Sequence, residues 1–525
     1  MITERYDFVI IGGGPNGLGI AAYLSKSGYK VCICEERLQL GGGAENAEPI
    51  PGFRIDPHAT YLYGAAAPIF EQLELWKFGF RMRYFATLSG AITSDGKAII
   101  AGRFNREGTY ESIKKYSPRD AEFLRIMQDT FKPYAKDFLR SIFWTPPYPP
   151  GQYDYDELPW FRFLKEKVPG ALSLFPTEYM ELSTYEILAP ATYIPPLPPI
   201  EMVDPEETGM GFMVPLLVVR ATQKCYTYGG SHRFASAMAR EFCSLGGIIL
   251  DNAEVEKIIV EGKKAVGVKL KDGRKIFAKV VASSLPAPIT FEKLSQIPES
   301  AKEESQILND WKWDKWSFFT LHFTSKSTPK LKPGRENPLS FMTIIGFSNL
   351  EDVMDFFRKL KEGKPEIRGG HFTCQSMFDD TLSRDGKVVS FLQVCFPYCD
   401  YKKEEIEREL LKLCEEYFEF SQDEIASEGP KEIEMRLTSM VRGSIKHGDY
   451  TPTQMGYFRP TENSSSSATP VEGLYLCGAS TYPGGLIIGG PGYIAANRVC
   501  DDLGVKKWWK PPDFILKFLK NYGDK

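Results

Sequence analysis

Short apolar runs and helical stripes alternate from the start of the chain. Tyr6-Asp-Phe-Val-Ile-Ile11 is too short for a helix and reads as a buried parallel strand. It runs directly into Gly12-Gly-Gly-Pro-Asn-Gly17 and an amphipathic helix to about Ser27, which Gly28 ends. Lys30 to Cys34 follows as a second short strand. Farther on, Ser117 caps and Pro118 opens a helix predicted to reach about Phe143. Its stripe of Phe123, Leu124, Met127, Phe131, Tyr134, Phe138 and Leu139 has the spacing of a core face.

Regular patterning returns at Tyr228-Gly-Gly-Ser231, with a helix over Ser231 to Leu245 and a strand at Ile248 to Leu250. Asn252 to Val260, Ala265 to Leu270 and Lys275 to Ala282 then alternate across turns at Glu261-Gly262 and Asp272-Gly273, a three-stranded meander. Strands near Ser317 to Phe323, Phe341 to Gly346 and Val388 to Phe396 predict a second antiparallel sheet. Helices over Leu350 to Leu360 and Lys403 to Phe418 accompany it. Trp144 to Tyr155 and Tyr193 to Pro199, dense in proline and aromatics, read as rigid extended loops that either wall a pocket or connect over the surface.

Length and charge narrow the picture. At 525 residues the chain needs more than one core. Its 64 basic and 68 acidic residues give a net charge of −4 with no long basic run, which argues against nucleic-acid binding. The ten cysteines lack CxxC or metal-ligand spacing and read as reduced core residues. His232, His322, His371 and His447 show no metal-binding spacing either. No apolar run reaches the roughly 20 residues that span a bilayer, and the first strand follows no leader, so the expectation is a cytoplasmic protein.

The opening strand, turn and helix carry the chemistry. Gly12 permits the tight turn, Gly14 lets a pyrophosphate approach the backbone, and Gly17 lets helix and strand pack closely. Glu35 lies roughly 20 residues on, where a carboxylate accepts a hydrogen bond from an adenosine ribose. This is a dinucleotide site, but it does not separate NAD from FAD. That choice rests on Gly41-Gly-Gly43 and on the glycine-rich stretch from Gly473 to Gly492. No second unit of this kind appears, so there is no dedicated NAD(P)H domain.

Taken in order, the first unit with Glu35 and the double glycine, the Tyr228-Gly-Gly-Ser231 helix start, Glu254-Val-Glu-Lys-Ile-Ile259 and the Gly473 to Gly492 stretch resemble the phytoene-desaturase-like flavin oxidoreductases. These share a superfamily with the amine oxidases and the GDP-dissociation inhibitors. The resemblance implies an α/β fold: a Rossmann-type FAD domain with a three-stranded meander, plus a discontinuous mixed α+β substrate domain. The expected division is residues 1–85, 225–290 and 440–504 for FAD, 86–224 and 291–439 for substrate, and 505–525 as an amphipathic tail.

The resemblance further implies that Gly12, Gly14 and Gly17, with Pro15 and Asn16, hold the FAD pyrophosphate, and that Glu35, with Glu36 beside it, holds the ribose. Gly42, Gly43 and Ala44 would lie along the cofactor, and Val255 would offer its backbone to the adenine. Gly478 and Ala479 would meet the ribityl phosphate. The helix opening at Gly489, Gly490 and Gly492 would sit under the flavin pyrimidine. Three departures stand out. Ala44 replaces a common arginine, Thr481-Tyr482-Pro483-Gly484 replaces Thr-His-Pro-Gly, and Leu486 and Ile488 replace a glycine and a proline. Leu486 and Ile488 are therefore candidate substrate contacts, and a carotenoid substrate is disfavoured.

The implied chemistry is hydride transfer from an apolar, isoprenoid or alicyclic substrate to flavin N5, with His58 or Tyr482 as candidate proton-transfer residues. The alternatives are a double-bond saturase or isomerase working from reduced flavin, an amine oxidase, and a lipid-binding chaperone. The electron acceptor is left open among a quinone, oxygen and a partner protein. The tail from Val505 to Lys520, with its lysines and aromatics, suits either a helix on the inner face of a membrane or one docked on the body.

Overall fold

A computed structural model describes the chain except residues 1–3, 63–66, 88, 94, 103–105, 145–157, 190–202, 215, 217–223, 339, 486–487 and 524–525. Most of the Trp144 to Tyr155 loop, the whole Tyr193 to Pro199 loop and Leu486 fall outside the described residues.

The apolar strand Glu4–Ile11 lies between Val31–Cys34 and Lys275–Ser283, parallel to both. Ile248–Leu250 extends the sheet beyond Val31–Cys34, again in parallel. Strand Lys275–Ser283 has two roles. Its first half closes the antiparallel meander with Val255–Glu261 and Lys264–Leu270, and its last three residues pair in parallel with Leu474–Leu476. This joins the two glycine-rich signals in one sheet. Phe8, Ile10 and Ile33 pack on one face with the helices Pro15–Lys26, His232–Ser244 and Gly490–Asp502, whereas Val9, Ile11 and Cys32 face the other.

The second sheet runs Gln422–Glu428, Trp316–Ser325, Val388–Pro397, Gly370–Cys374, Met342–Ile345, Ser89–Ile92, Ala98–Ala101. It is not wholly antiparallel as predicted, because Met342–Ile345 and Ser89–Ile92 pair in parallel. The last two strands come from a stretch whose short runs give no clear period. Alternation sorts its two faces. Phe319, Leu321 and Phe323 pack with Leu392, Val394 and Leu410 in an apolar cluster that involves the helix Lys403–Tyr417. Phe318, Thr320 and His322 stand on the opposite face with Gln393 and Phe391 across the ladder.

The helix predicted over residues 117–143 is broken. Ser117 Oγ caps it at Asp120 N (3.1 Å) and it runs Pro118–Phe131. Pro133 offers no amide hydrogen, so one 3₁₀ turn intervenes before Ala135–Ser141. The break re-aims the stripe: Met127, Phe131, Phe138 and Leu139 are buried, but Phe123 is 45% exposed. Among the described residues no disulfide joins the ten cysteines, and all but Cys243 and Cys399 are buried.

The tail takes the docked form. Helix Asp513–Gly523 buries Ile515 and Phe518 against the body. Trp509 Nε1 donates to Asn497 Oδ1 (3.0 Å), and Trp508 stacks on Tyr23 while donating to its carbonyl (3.2 Å). The aromatics that suggest a membrane face are thus part of the core. Among the described residues no helix is long and apolar enough to cross a membrane.

Candidate functional site

A cavity of about 570 Å³ begins at the carboxyl ends of the first sheet's strands, where open α/β sheets take their ligands, and reaches the second sheet. Gly12, Gly14, Pro15 and Asn16 form one wall at the start of the first helix. Glu35, Glu36 and Arg37 follow from the end of the second strand, with Gly42, Gly43 and Ala44 beside them. Val255 and Lys293 line it from the meander side. Ala479, Gly485, Ile488 and Gly489 contribute from the closing stretch, and Phe318 and Gln393 from the second sheet.

The remaining predicted glycines do not line the cavity; they shape it from behind. A Cβ on Gly17 would lie 2.0 Å from Gly12 O, one on Gly478 2.3 Å from Ser284 O, and one on Gly492 2.3 Å from Asn16 O. Gly490 opens the last long helix under the N-cap Gly489, at φ 72°. Tyr482 does not line the cavity either; it is buried with Phe138, Trp160 and Ile494 in an aromatic cluster.

These residues fit an FAD. The nearest atom to a Cβ on Gly14 would be Gly42 Cα at 4.0 Å, so the floor of the cradle is open backbone. Neither the first helix nor the Gly490 helix is capped by its own N-cap side chain, so the positive end of each dipole faces the cavity side, although Gly492 N of the second donates to Asn16 Oδ1 at 3.4 Å. Glu35 accepts from Gly13 N (2.6 Å) through Oε2 and from Arg37 N (2.9 Å) through Oε1, keeping lone pairs for a ribose. Burial pushes its carboxyl above the ordinary value, although the two amides oppose this. Glu36 accepts from Thr438 Oγ1 at 2.6 Å, so its carboxylate ties a crossing segment to the site.

That segment, Leu437 to Met440, carries no signal in the sequence, yet all four residues line the cavity. It follows the helix Pro430–Arg436, whose last residue joins a cluster beneath the cavity. Arg436 pairs with Glu45 and Glu428, and Arg37 Nη2 reaches Glu45 Oε2 at 2.7 Å. His58 lines the cavity, but its Nε2 lies 2.9 Å from Arg436 Nη2 and 3.5 Å from Glu45 Oε1. Asp56 is a structural anchor: buried, it accepts from Ser231 N (2.9 Å) and Asn46 Nδ2 (2.7 Å), and burial pushes its carboxyl up to about 7.

Burial opposes ionisation of Glu45, but His58, Arg436 and Arg37 outweigh it and hold the carboxyl at about 2. A carboxylate depressed in the folded state stabilises above its unfolded pKa, and the contribution disappears as pH falls through the folded one. This amounts to on the order of 3 kcal/mol at neutral pH. Urea titrations should therefore show stability lost between about pH 4.5 and 2, with a shallower loss in Glu45→Gln. An unchanged pH slope in that variant would refute the assignment.

Ile445 and His447 also line the cavity, with Ile445 packed against Leu437 and Met440 on a wall that continues from that segment. It is held by Arg459, fully buried, which donates to the carbonyls of Lys446 (2.8 Å), Gln454 (3.0 Å), Ala479 (3.1 Å), Gly448 (3.3 Å) and Asp449 (3.3 Å). His447 adopts φ 58°, and its Nδ1 is buried with no hydrogen-bond partner among the described residues. Burial, reinforced by Arg459, lowers the imidazole to about 4.

Comparison with known proteins agrees with this geometry. The chain is 32% identical over 543 aligned positions, covering 98% of each sequence, to one of the subunits of limonene dehydrogenase from Castellaniella defragrans. It is 24% identical over 99% of its length, and 84% of the relative's, to a chloroplastic prolycopene isomerase of Daucus carota. In fold it resembles cyclohexylamine oxidase from Brevibacterium oxydans, with a TM-score of 0.58 at 14% identity over 95% of this chain and 99% of that one. Residues 7–302 match the family described as FAD dependent oxidoreductase. With the nucleotide cradle, the uncapped helix starts and more than half of its length matched, the chain belongs to the FAD dependent oxidoreductase family.

Proposed function

We propose that this FAD-dependent oxidoreductase dehydrogenates an apolar alicyclic molecule of the limonene type. The observation that carries the proposal is similarity over essentially the whole chain to a limonene dehydrogenase polypeptide, including the second sheet where the cavity ends. The cavity's apolar lining supports it, since Leu62, Phe318, Ile445 and Ile488 all face the cavity. Similarity to prolycopene isomerase supports a second reading, a redox-neutral isomerase on the same scaffold.

In this reading Gly12, Gly14, Pro15 and Asn16 hold the pyrophosphate, Glu35 the ribose and Val255 the adenine. Ala479 and Gly489 hold the flavin end. Gly17, Gly478, Gly490 and Gly492 keep the surrounding backbone close. When bound, FAD supplies a two-electron hydride acceptor. The chain orients the substrate against it and excludes water. Ile488 touches the substrate, and His58 positions the cavity wall through Arg436. Residues 1–85, 225–290 and 440–504 form the cofactor unit and 86–224 with 291–439 the substrate unit; the strand membership of the two sheets supports that division. Because the limonene dehydrogenase relative is one subunit of its enzyme, a partner protein is favoured as electron acceptor.

The test is an absorbance spectrum of the purified protein followed by anaerobic titration with limonene. Loss of the oxidised-flavin band is expected. Bleaching by cyclohexylamine and not by limonene would favour amine oxidation and overturn the proposal.

A further inference from the structure

Making a C=C bond from adjacent CH groups removes two different things. One C–H bond breaks with both electrons leaving as hydride, which the cofactor accepts. The neighbouring C–H bond breaks with its electrons forming the new π bond, and in a cavity closed to water the proton goes to a basic side chain of this chain. If the protein is the dehydrogenase proposed above, it therefore needs a proton acceptor at the substrate end of the cavity.

Among the described residues that line that end, most basic or polar groups are already engaged. His58 Nε2 is taken up by Arg436 and Glu45, Gln393 Nε2 donates to Thr320 Oγ1 (3.0 Å), and the Tyr61 ring carries Lys224 at 4.7 Å. The cavity carboxylates Glu35, Glu36 and Glu254 lie with the ribose and adenine contacts. His447 differs. It is on the wall with Ile445, Ala479 and Ile488, and its Nδ1 finds no hydrogen-bond partner among the described residues. Nδ1 is shut away, which leaves Nε2 to meet a bound molecule. Its backbone is held in the left-handed region, unusual for a residue with a side chain, in a segment clamped by Arg459. Strain kept at a cavity wall, beside an unengaged imidazole, points to a working role.

We propose that His447 accepts, through Nε2, the proton released when the substrate's C=C bond forms. Hydride departure leaves positive charge on the first carbon, and a hydrogen on the adjacent carbon of such a cation is far more acidic than an imidazolium. A weak base therefore suffices. Burial, reinforced by Arg459, keeps the imidazole neutral before the reaction, and the imidazolium then passes its proton to water as product leaves.

The test variant is His447→Asn, because asparagine tolerates the left-handed backbone and lacks the basic nitrogen. Flavin content, FAD affinity and the spectral perturbation caused by limonene binding should match the wild type. The rate of anaerobic flavin bleaching by limonene should fall by about 100-fold or more. Free imidazole should restore part of the rate to His447→Gly. Wild-type bleaching in His447→Asn, or loss of FAD from it, overturns the proposal and leaves the dehydrogenase reading standing. Failure of limonene to bleach the wild type removes both.

Discussion

Gly17→Ala is expected to yield protein that purifies without flavin. The added Cβ would lie 2.0 Å from Gly12 O and 3.2 Å from Gly12 C, both atoms of the turn itself. No side chain can move aside to relieve that contact, so the first helix must withdraw from the strand. The Gly490–Asp502 helix moves with it, because Gly492 packs against the Asn16 carbonyl. Overpacking typically destabilises by about 1–3 kcal/mol, and here the displacement falls on the amides that face the pyrophosphate. Gly19→Ala is the control. Its Cβ meets only the far end of Ile69, at 3.0 Å, and flavin should be retained. Stoichiometric flavin in Gly17→Ala, measured by absorbance after denaturation, would mean that this turn does not hold the cofactor.

Arg459→Leu should be the most destabilising side-chain change near the site. It leaves five buried carbonyls without their donor and removes a charge that also lies over the Tyr450 ring at 4.7 Å. Each orphaned buried acceptor costs about 1–3 kcal/mol, and breaking a buried charged network costs about 3–5 kcal/mol in all once the structure relaxes. Lysine should not substitute, because one ammonium cannot reproduce a planar fork of five donors. A fall in the urea midpoint for both variants is expected; wild-type stability in Arg459→Lys would refute the clamp.

Much of the cofactor side is legible in the sequence, because its chemistry is carried by backbone. Gly12, Gly14 and Glu35 announce themselves by spacing, since a turn that must admit a phosphate tolerates few residue types. Gly17 reads both as a packing glycine and, through the resemblance, as a cofactor contact, and Gly478 and Gly492 as cofactor contacts; a Cβ on any of the three would meet neighbouring backbone, and a glycine needed for packing and one needed for binding look alike in one dimension. The substrate side is far less legible. Gln393 and Phe318 come from paired strands far apart in the chain, and nothing in either strand's alternation says which face will be wet. His447 gives no signal because it lacks a ligand-like neighbour in sequence, whereas its interest lies in what fails to contact it. The tail misleads for a related reason: an amphipathic stripe states that one face is covered, but not by what.

Strand Lys275–Ser283 bonds to residues 4–11 on one side and to 474–476 on the other, and the Gly490 helix must reach Asn16 to finish the cradle. A nascent chain carries the first glycine turn about 460 residues ahead of Leu474–Leu476 and cannot complete the site until that strand and the Gly490 helix have left the ribosome. At about 5–20 residues per second, that is roughly 25–100 s during which the opening unit waits for its partners. Flavin capture is therefore a late event of biogenesis, and a chain truncated before residue 474 would emerge with an intact fingerprint and no cofactor.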